Sequence, residues 1–338
     1  MDSITRLVDR LNDRHFDAAL ISDPNAIRYF TGVRFSPGER LLALVVTKDA
    51  AATLLVNRLF LYDGTLPAVW YSDAQDGAAM LAQLLEGHVA VDKSFPARFL
   101  LRLQEIKPEL KLTLGTVIDE VKAVKTPQEQ QKMIRASLVN DAVMAEVAGM
   151  IAVGKSEKQL QSEIDALFAK VSQGNSFDTI VAYGDHAADP HGVPGDNVVK
   201  NGDFVTMDYG ALVEGYHSDM TRTVAVGDIT DEQKKVYATV LEAQKCGLNA
   251  LHDGISGVDA DKAARDVIEA AGYGANFGHG TGHGVGVEIH EAPTLSPRSA
   301  HTLRTGHIVT VEPGIYLPDR FGVRIEDMAL ITDTGCRI

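Results

Sequence analysis

From about residue 175 onward the chain alternates between two kinds of pattern. FDTIVAY, DFVTMDYGALVEGYHSDMTRTVAV, GHIVTVEPGIYL and GVRIEDMALITD are rich in β-formers and short turns. Two segments with helical spacing, at 231–250 and 257–271, lie between them, and two more precede the first. The order helix, helix, strands therefore occurs twice, which predicts a duplicated α+β unit folded about a pseudo-twofold axis. Three of the four stretches are also broken by acidic residues within apolar surroundings. A carboxylate in an apolar strand is costly unless it is paired or neutralised by a cation. The feature that sets the fold thus also marks where chemistry belongs.

A different pattern comes first. Ile4, Leu7, Val8 and Leu11 recur at helical intervals over residues 3–14, with Asp2 or Ser3 as the cap. RLLALVVTKDAAATLLVN reads as two strands around a turn at Lys48 and Asp49. Residues 74–86 and 96–105 read as helices, and HVAVD and KLTLG as short strands. This gives a small α/β domain over residues 1–120, followed by the duplicated domain over 121–338. VIDEVKAVKTPQEQQ reads as a polar connection entering a long helix. Thr126 caps that helix, Pro127 takes its first position and Glu129 stands three residues after the cap, an incomplete start signal. The helix is expected to end near Gly154, and a second to cover 157–172.

Charge and composition narrow the function. With 46 acidic against 32 basic residues the net charge is −14, the wrong sign for a nucleic-acid backbone. The N-terminus lacks the apolar run of an export signal, and no stretch approaches the roughly 18 apolar residues that span a bilayer. The two cysteines, Cys246 and Cys336, fit neither a zinc motif nor a disulfide framework. The cytoplasm, with no nucleic-acid or membrane partner, is the expected setting. Cys246 lies in a helical pattern and is expected in the core.

The acidic residues form a constellation with histidines. Asp208 lies in DFVTMDYG beside Phe204 and Val205; alone, it reads equally well as paired with an arginine or capping a turn. Asp219 lies beyond an apparent hairpin at Glu214 and Gly215, and a returning strand brings it beside Asp208. Two such carboxylates repel unless protonated or neutralised. Thr221 shares the strand face of Asp219. In GHGTGHGVGVEIHE, five glycines alternate around His279 and His283, with His290 just after; such a run points to contact with a metal or substrate. Glu312 ends the apolar strand of HIVTVEPGIY, and Glu326 interrupts that of GVRIEDMALI, with Arg324 on the same face. The bland alternative for Glu326 and Asp327 is a charged pair at a solvent edge. Carboxylates with one imidazole suit divalent manganese, cobalt, iron or zinc. Four carboxylates exceed what one closed zinc site takes, so two ions are expected, able to activate a water and polarise a carbonyl.

MDYGALVEGYHSDMTRT, GHGTGHGVGVEIHEAP, TVEPGIY and VRIED resemble the pita-bread metallopeptidases, which include methionyl aminopeptidase, Xaa-Pro aminopeptidase and Xaa-Pro dipeptidase (prolidase). The order Asp, Asp, His, Glu, Glu, spaced 11, 64, 29 and 14 residues apart, carries the resemblance. The first 120 residues look like the smaller domain of the proline-directed and creatine-hydrolysing branches.

The resemblance implies a site of two divalent ions per subunit, with manganese favoured and cobalt or zinc as alternatives. Asp208, Asp219, His283, Glu312 and Glu326 would be the ligands, Asp219 and Glu326 bridging. Glu312 would also shuttle a proton for the attacking water. His290 would hydrogen-bond the scissile carbonyl, and His279 and His191 would face the substrate. Tyr316 and Arg324 match supporting positions after Glu312 and before Glu326 and would help bind substrate, and His279 would also take part in catalysis. His217 gets no role from the sequence. The implied activity is hydrolysis of the Xaa-Pro bond, as a dipeptidase or, on longer peptides, an aminopeptidase. A homodimer is implied, with GVRFSPGERL approaching the neighbouring subunit's site. Arg34, Arg40, Arg320 and Arg324 are candidate anchors for a substrate carboxylate. Metal-free creatinase-like hydrolysis and a non-catalytic binding role are further alternatives.

Overall fold

Alternation along short apolar strands builds the first of two compact units, Met1–Lys122. The computed structural model describes residues 3–338, so Asp2 lies outside the described residues and α1 (Ser3–Asp13) begins at Ser3. The unit continues with β1 (Ala18–Ile21), α2 (Pro24–Thr31), β2 (Ala43–Thr47), β3 (Ala52–Asn57), β4 (Ala68–Tyr71), α3 (Gly77–Ala82), β5 (His88–Val91), α4 (Ala97–Ile106), β6 (Lys111–Leu114) and α5 (Thr116–Ala123). The strands form one mixed sheet in the order β4-β3-β2-β1-β5-β6. Ala19, Ile21, Leu44 and Val46 face one way, packing with Leu7, Leu11 and Ile27. Ala18, Leu20, Ala43 and Val45 face the other, packing with Leu81, Leu85 and Leu103. Both faces of the sheet are therefore covered.

Two expectations need correction here. VIDEVKA is helix, not connection: Val117, Ile118 and Val121 form an apolar stripe at helical spacing that packs into the core. The helix over 74–86 shrinks to α3, because Asp76 caps it at one end and tight turns at Gln83 and Leu84 close the other.

The second unit is Ala123–Ile338. It holds α6 (Pro127–Val147), α7 (Glu157–Val171), β7 (Ile180–Tyr183), β8 (Phe204–Tyr209), β9 (Leu212–Val213), β10 (Tyr216–His217) and β11 (Met220–Ala225). Then come α8 (Asp231–Ala250), α9 (Gly257–Ala270), β12 (Gly282–Gly284), β13 (Glu291–Leu295), β14 (Ile308–Val311), β15 (Gly314–Leu317), β16 (Phe321–Arg324), β17 (Asp327–Thr332) and β18 (Gly335–Arg337). The start of α6 is a complete capping box, the Glu129 carboxylate accepting the Thr126 N–H at 2.6 Å. α6 ends at Val147, short of Gly154, where tight turns from Gly149 N–H to Glu146 O and from Met150 N–H to Val147 O close it, and the Gly154 N–H bonds the Val199 carbonyl instead.

That bond belongs to the duplication. Gly154 N–H donates to Val199 O and Val199 N–H returns to Lys155 O; Gly254 N–H donates to Leu303 O and Leu303 N–H returns to Ile255 O. Gly202 and Gly306 both have φ +92°, and their N–H groups bond Val226 O and Ile331 O. Two copies of one hydrogen-bond pattern thus run through the unit, as the pseudo-twofold predicts. The sheets β11-β8-β7 and β13-β12-β14-β17-β18 carry the two halves. They are stitched where Glu326 N–H donates to Thr221 O at 3.1 Å and Thr223 Oγ1 donates to Arg324 O at 2.9 Å. Cys246 is half-buried on α8, its thiol facing Glu242; Ala243, Gln244 and Gly247 take the buried face instead. Among the described residues, no helix is long and apolar enough to cross a membrane.

Candidate metal centre and substrate cavity

The duplication places carboxylates at equivalent strand ends. Asp208 stands six residues after Gly202, in β8, and Glu312 six after Gly306, just beyond β14. Glu214 and Gly215 both take positive φ, 49° and 81°, so a tight hairpin returns the chain. Thr221 then pairs with Asp208 across β11 and β8, and Asp219 falls just before that strand. Glu326 lies between β16 and β17 at 1% exposure, which removes the solvent-edge reading; Asp327 pairs separately with Arg222 at 2.6 Å.

His283 comes from β12. Its Nδ1 faces the Gly284 carbonyl at 3.0 Å, which as a donor bond would leave Nε2 for the carboxylates. Nε2 lies 3.2 Å from Glu312 Oε1 and 3.7 Å from Asp219 Oδ2. Ligand atoms of Asp219, His283 and Glu326 all lie within 4.8 Å of one another, a candidate metal-binding cluster. Asp208 and Glu312 line the same cavity.

The electrostatics ask for a cation. Burial, then the neighbouring Glu326 and Asp208, push Asp219 well above the usual carboxylate range. Burial, then Glu312 and Asp208, do the same to Glu326. Burial raises Asp208 despite the Arg324 guanidinium 2.7 Å away. Glu312 goes the other way: burial would raise it, but the hydrogen bond and charge of His283 bring it down to about 2. Burial opposes and that same bond raises His283. At this site two buried oxygens, Asp208 Oδ1 and Glu326 Oε1, have no hydrogen-bond partner among the described residues. Buried acceptors are rarely left unmet, and hard oxygen donors with one imidazole fit divalent metal.

A second ring of contacts fixes these groups. Arg324 reaches Asp208, Thr221 Oγ1 at 2.9 Å and Tyr316 Oη at 3.1 Å. Thr221 Oγ1 donates to Glu326 Oε2 at 2.8 Å, and Thr310 Oγ1 to Glu312 Oε1 at 3.0 Å. Tyr316 Oη lies 2.8 Å from His279 Nε2. Burial lowers the pKa of His279, so its neutral ring accepts from Tyr316 when Nδ1 donates to the Gly280 carbonyl.

The cavity beside the cluster encloses about 370 Å³. His191, His279, His290 and Arg324 line it, whereas Tyr316 stands behind His279 and Arg324. The sequence reading missed Phe177, Ile180, Pro190 and Ile289, which give the wall its apolar part; the apolar run FDTIVAY just before DPHGVPG was the available signal. His217 lies outside the lining. Its Nδ1 is 2.8 Å from Ser176 Oγ and its backbone N–H donates to Gly286 O, so the residue ties the Ser176 and Gly286 segments together. Of the candidate carboxylate anchors, Arg320 pairs with Glu232, Arg40 with Asp73, and Arg34 belongs to the first unit.

The glycine run lines the cavity through Gly280 and Gly282, and it also meets a backbone demand. A Cβ on Gly282 would meet Thr310 O at 2.0 Å, one on Gly284 would meet Ala292 O at 2.3 Å, and one on Gly286 would meet the Glu291 carboxylate at 2.5 Å. These glycines let neighbouring strands close up; Gly278 has open space.

Metallopeptidase family M24 matches residues 131–333, and the Creatinase/Prolidase N-terminal domain matches residues 4–124. An uncharacterised peptidase of Staphylococcus aureus (strain MW2) is 33% identical over 100% of this chain and 98% of its own. The structure of a Xaa-Pro dipeptidase from Bacillus anthracis is 34% identical, with TM-score 0.89, over 99% of this chain and 96% of that one. That of an X-Pro aminopeptidase from Thermotoga maritima MSB8 is 30% identical, with TM-score 0.87, over 100% and 97%. With its five converging metal-type side chains and matches along both units, this chain belongs to the pita-bread metallopeptidases of family M24, in their proline-directed branch.

Proposed function

We propose that the protein is a dinuclear-metal Xaa-Pro dipeptidase. The observation that carries the metal part is the pair of buried, partnerless oxygens, Asp208 Oδ1 and Glu326 Oε1, in a ring of mutually repelling carboxylates. Asp208, Asp219, His283, Glu312 and Glu326 would hold two divalent ions, manganese being favoured by the oxygen-rich donors. Ions held there supply a lowered pKa for a shared water and polarisation of the scissile carbonyl. The chain's own groups do the rest. Glu312 takes the proton of the attacking water and returns it to the leaving nitrogen. His290 donates to the carbonyl oxygen as negative charge develops there. His279, fixed by Tyr316, and His191 orient the substrate from the cavity wall.

The dipeptidase reading is supported by the likeness to the Bacillus anthracis dipeptidase. A dipeptide's carboxylate needs a cationic partner near the cavity. Among the lining residues the candidates are the histidines and Arg324, and Arg324 is bound to Asp208. The likeness to the Thermotoga maritima aminopeptidase keeps the longer-peptide reading as the alternative. A homodimer in the cytoplasm completes the proposal.

A chain-length series of Xaa-Pro substrates in a defined manganese buffer is the test. We expect Ala-Pro to be cleaved faster than Ala-Pro-Ala. Comparable or faster turnover of the tripeptide would make the protein an aminopeptidase, and cleavage of neither would sink the reading.

A further inference from the structure

Glu291 directly follows His290 and opens β13. His290 lines the cavity, while the Glu291 side chain turns inward and is 2% exposed. There it meets Lys125, whose side chain is 1% exposed, with Nζ 2.9 Å from Oε2. The other oxygen, Oε1, accepts the Glu288 N–H at 3.0 Å, closing the turn that carries Ile289 and His290. Gly286 packs against the same carboxylate, and its carbonyl accepts the His217 N–H at 2.8 Å. Lys125 is anchored in turn. Its N–H donates to Gly306 O at 2.9 Å, and its carbonyl accepts from Gln130 Nε2 at 2.9 Å.

Stability alone is a weak reason for such a pair. The cost of drying two charges consumes most of their attraction, and packed apolar side chains of similar volume serve as well. What the pair supplies is direction. A carboxylate tied on one side to a fixed ammonium and on the other to the backbone of its own turn has one orientation, and the preceding residue inherits it. Neither Lys125 nor Glu291 lines the cavity, so neither reaches substrate.

We propose that the buried Lys125–Glu291 pair is a positioning device that aims the His290 imidazole into the substrate cavity. The inference rests on the role given to His290 above. Lys125 and Glu291 act through it and touch no reacting atom.

The test is a double-mutant cycle. Lys125→Met and Glu291→Gln are made singly and in a His290→Ala background, and turnover of Ala-Pro and Ala-Pro-Ala is measured with manganese. We expect each single variant to lower kcat about tenfold or more, with KM changed less than about twofold and metal content intact, as misaimed catalytic groups do. In the His290→Ala background the same changes should alter kcat by less than about twofold. Equal losses in both backgrounds would overturn the inference. Glu291→Gln keeps the shape and the Glu288 contact, and it carries the cycle if Lys125→Met does not fold. A second measurement needs no substrate. With labelled histidines, the His290 ring signal is assigned by its loss in His290→Ala. It should shift or broaden in Glu291→Gln while that of His191 holds. An unmoved His290 signal would overturn the inference even in a protein that cleaves neither peptide, which is the separate failure of the proposed activity.

Discussion

Glu312 differs from the other carboxylates of the site in what it touches. Thr310 Oγ1 donates to it and His283 Nε2 lies 3.2 Å away, so it stays ionised where Asp219 and Glu326 are pushed toward protonation. An anion with one face on the imidazole and another on the cavity is placed to accept a proton. Glu312→Gln should therefore cut turnover by about 100-fold or more, the loss expected when a general base is removed. Elemental analysis should accompany the assay, since near-normal turnover at full metal occupancy would rule the role out. At this scale the sequence was informative about residue types. Asp208, Asp219, His283, Glu312 and Glu326 stood out because each is out of place in its apolar or glycine-rich surroundings. His217, Lys125 and Glu291 did not, because a buried brace is defined by a partner distant in the chain. The partner of Glu291 lies 166 residues away.

Among the elements, helices announced themselves through caps and spacing, and the ends of α7, α8 and α9 lie within about two residues of the expected ones, the usual uncertainty of helix boundaries. α2 and α5 did not: each spans only eight residues, and the apolar stripe of α5 has only three members. The glycine strand β12 was legible as a place of close approach, but not which backbone it approaches, since the Thr310 and Ala292 carbonyls come from strands elsewhere in the sheet. Gly282→Ala should test that approach. Its Cβ would lie 2.0 Å from the Thr310 carbonyl, which belongs to backbone and cannot yield cheaply. Overpacking of this kind costs about 1–3 kcal/mol, and urea unfolding should show it together with weaker metal binding at the neighbouring His283. Wild-type stability would show that the strands have slack. β14 offers a pH test. His307 is buried beside Lys125, and Arg304 N–H donates to its Nδ1 at 3.1 Å, an arrangement that needs the neutral ring. Burial, then the nearby Lys125 charge, lowers its pKa from 6.5 to about 4. A depressed histidine stabilises the fold above its unfolded pKa and loses that contribution as acid protonates the unfolded chain first. Stability should accordingly fall between about pH 6.5 and 4, by at most about 1.4 kcal/mol per pH unit from this group. His307→Gln should flatten that part of the urea-unfolding profile, and an unchanged slope would place the dependence elsewhere.

For the whole molecule, the unmet oxygens favour cation binding by the folded chain over the unfolded one. Manganese at 100 times its dissociation constant should stabilise the protein by about 2.7 kcal/mol. Thermal melts with and without a chelator should separate accordingly, and coincident melts would show that no ion is held. Paired Asp219→Asn and Glu326→Gln changes should abolish the separation, because they remove the charges that repel one another in its absence. The duplicated architecture of this unit was legible from the repeated order of elements, while the hydrogen bonds that repeat in both copies, at Gly154 and Gly254 and at Gly202 and Gly306, join residues too far apart in the chain for local pattern to show.

The repeat divides the donors unevenly: Asp208 and Asp219 come from the earlier copy, and His283, Glu312 and Glu326 from the later one. A ribosome releasing this protein makes the acidic pair first, with nothing yet to share a captured ion. Tight capture has to await the arrival and docking of the later copy. A complete donor set thereby requires both copies, and a chain cut short between them lacks three of the five donors.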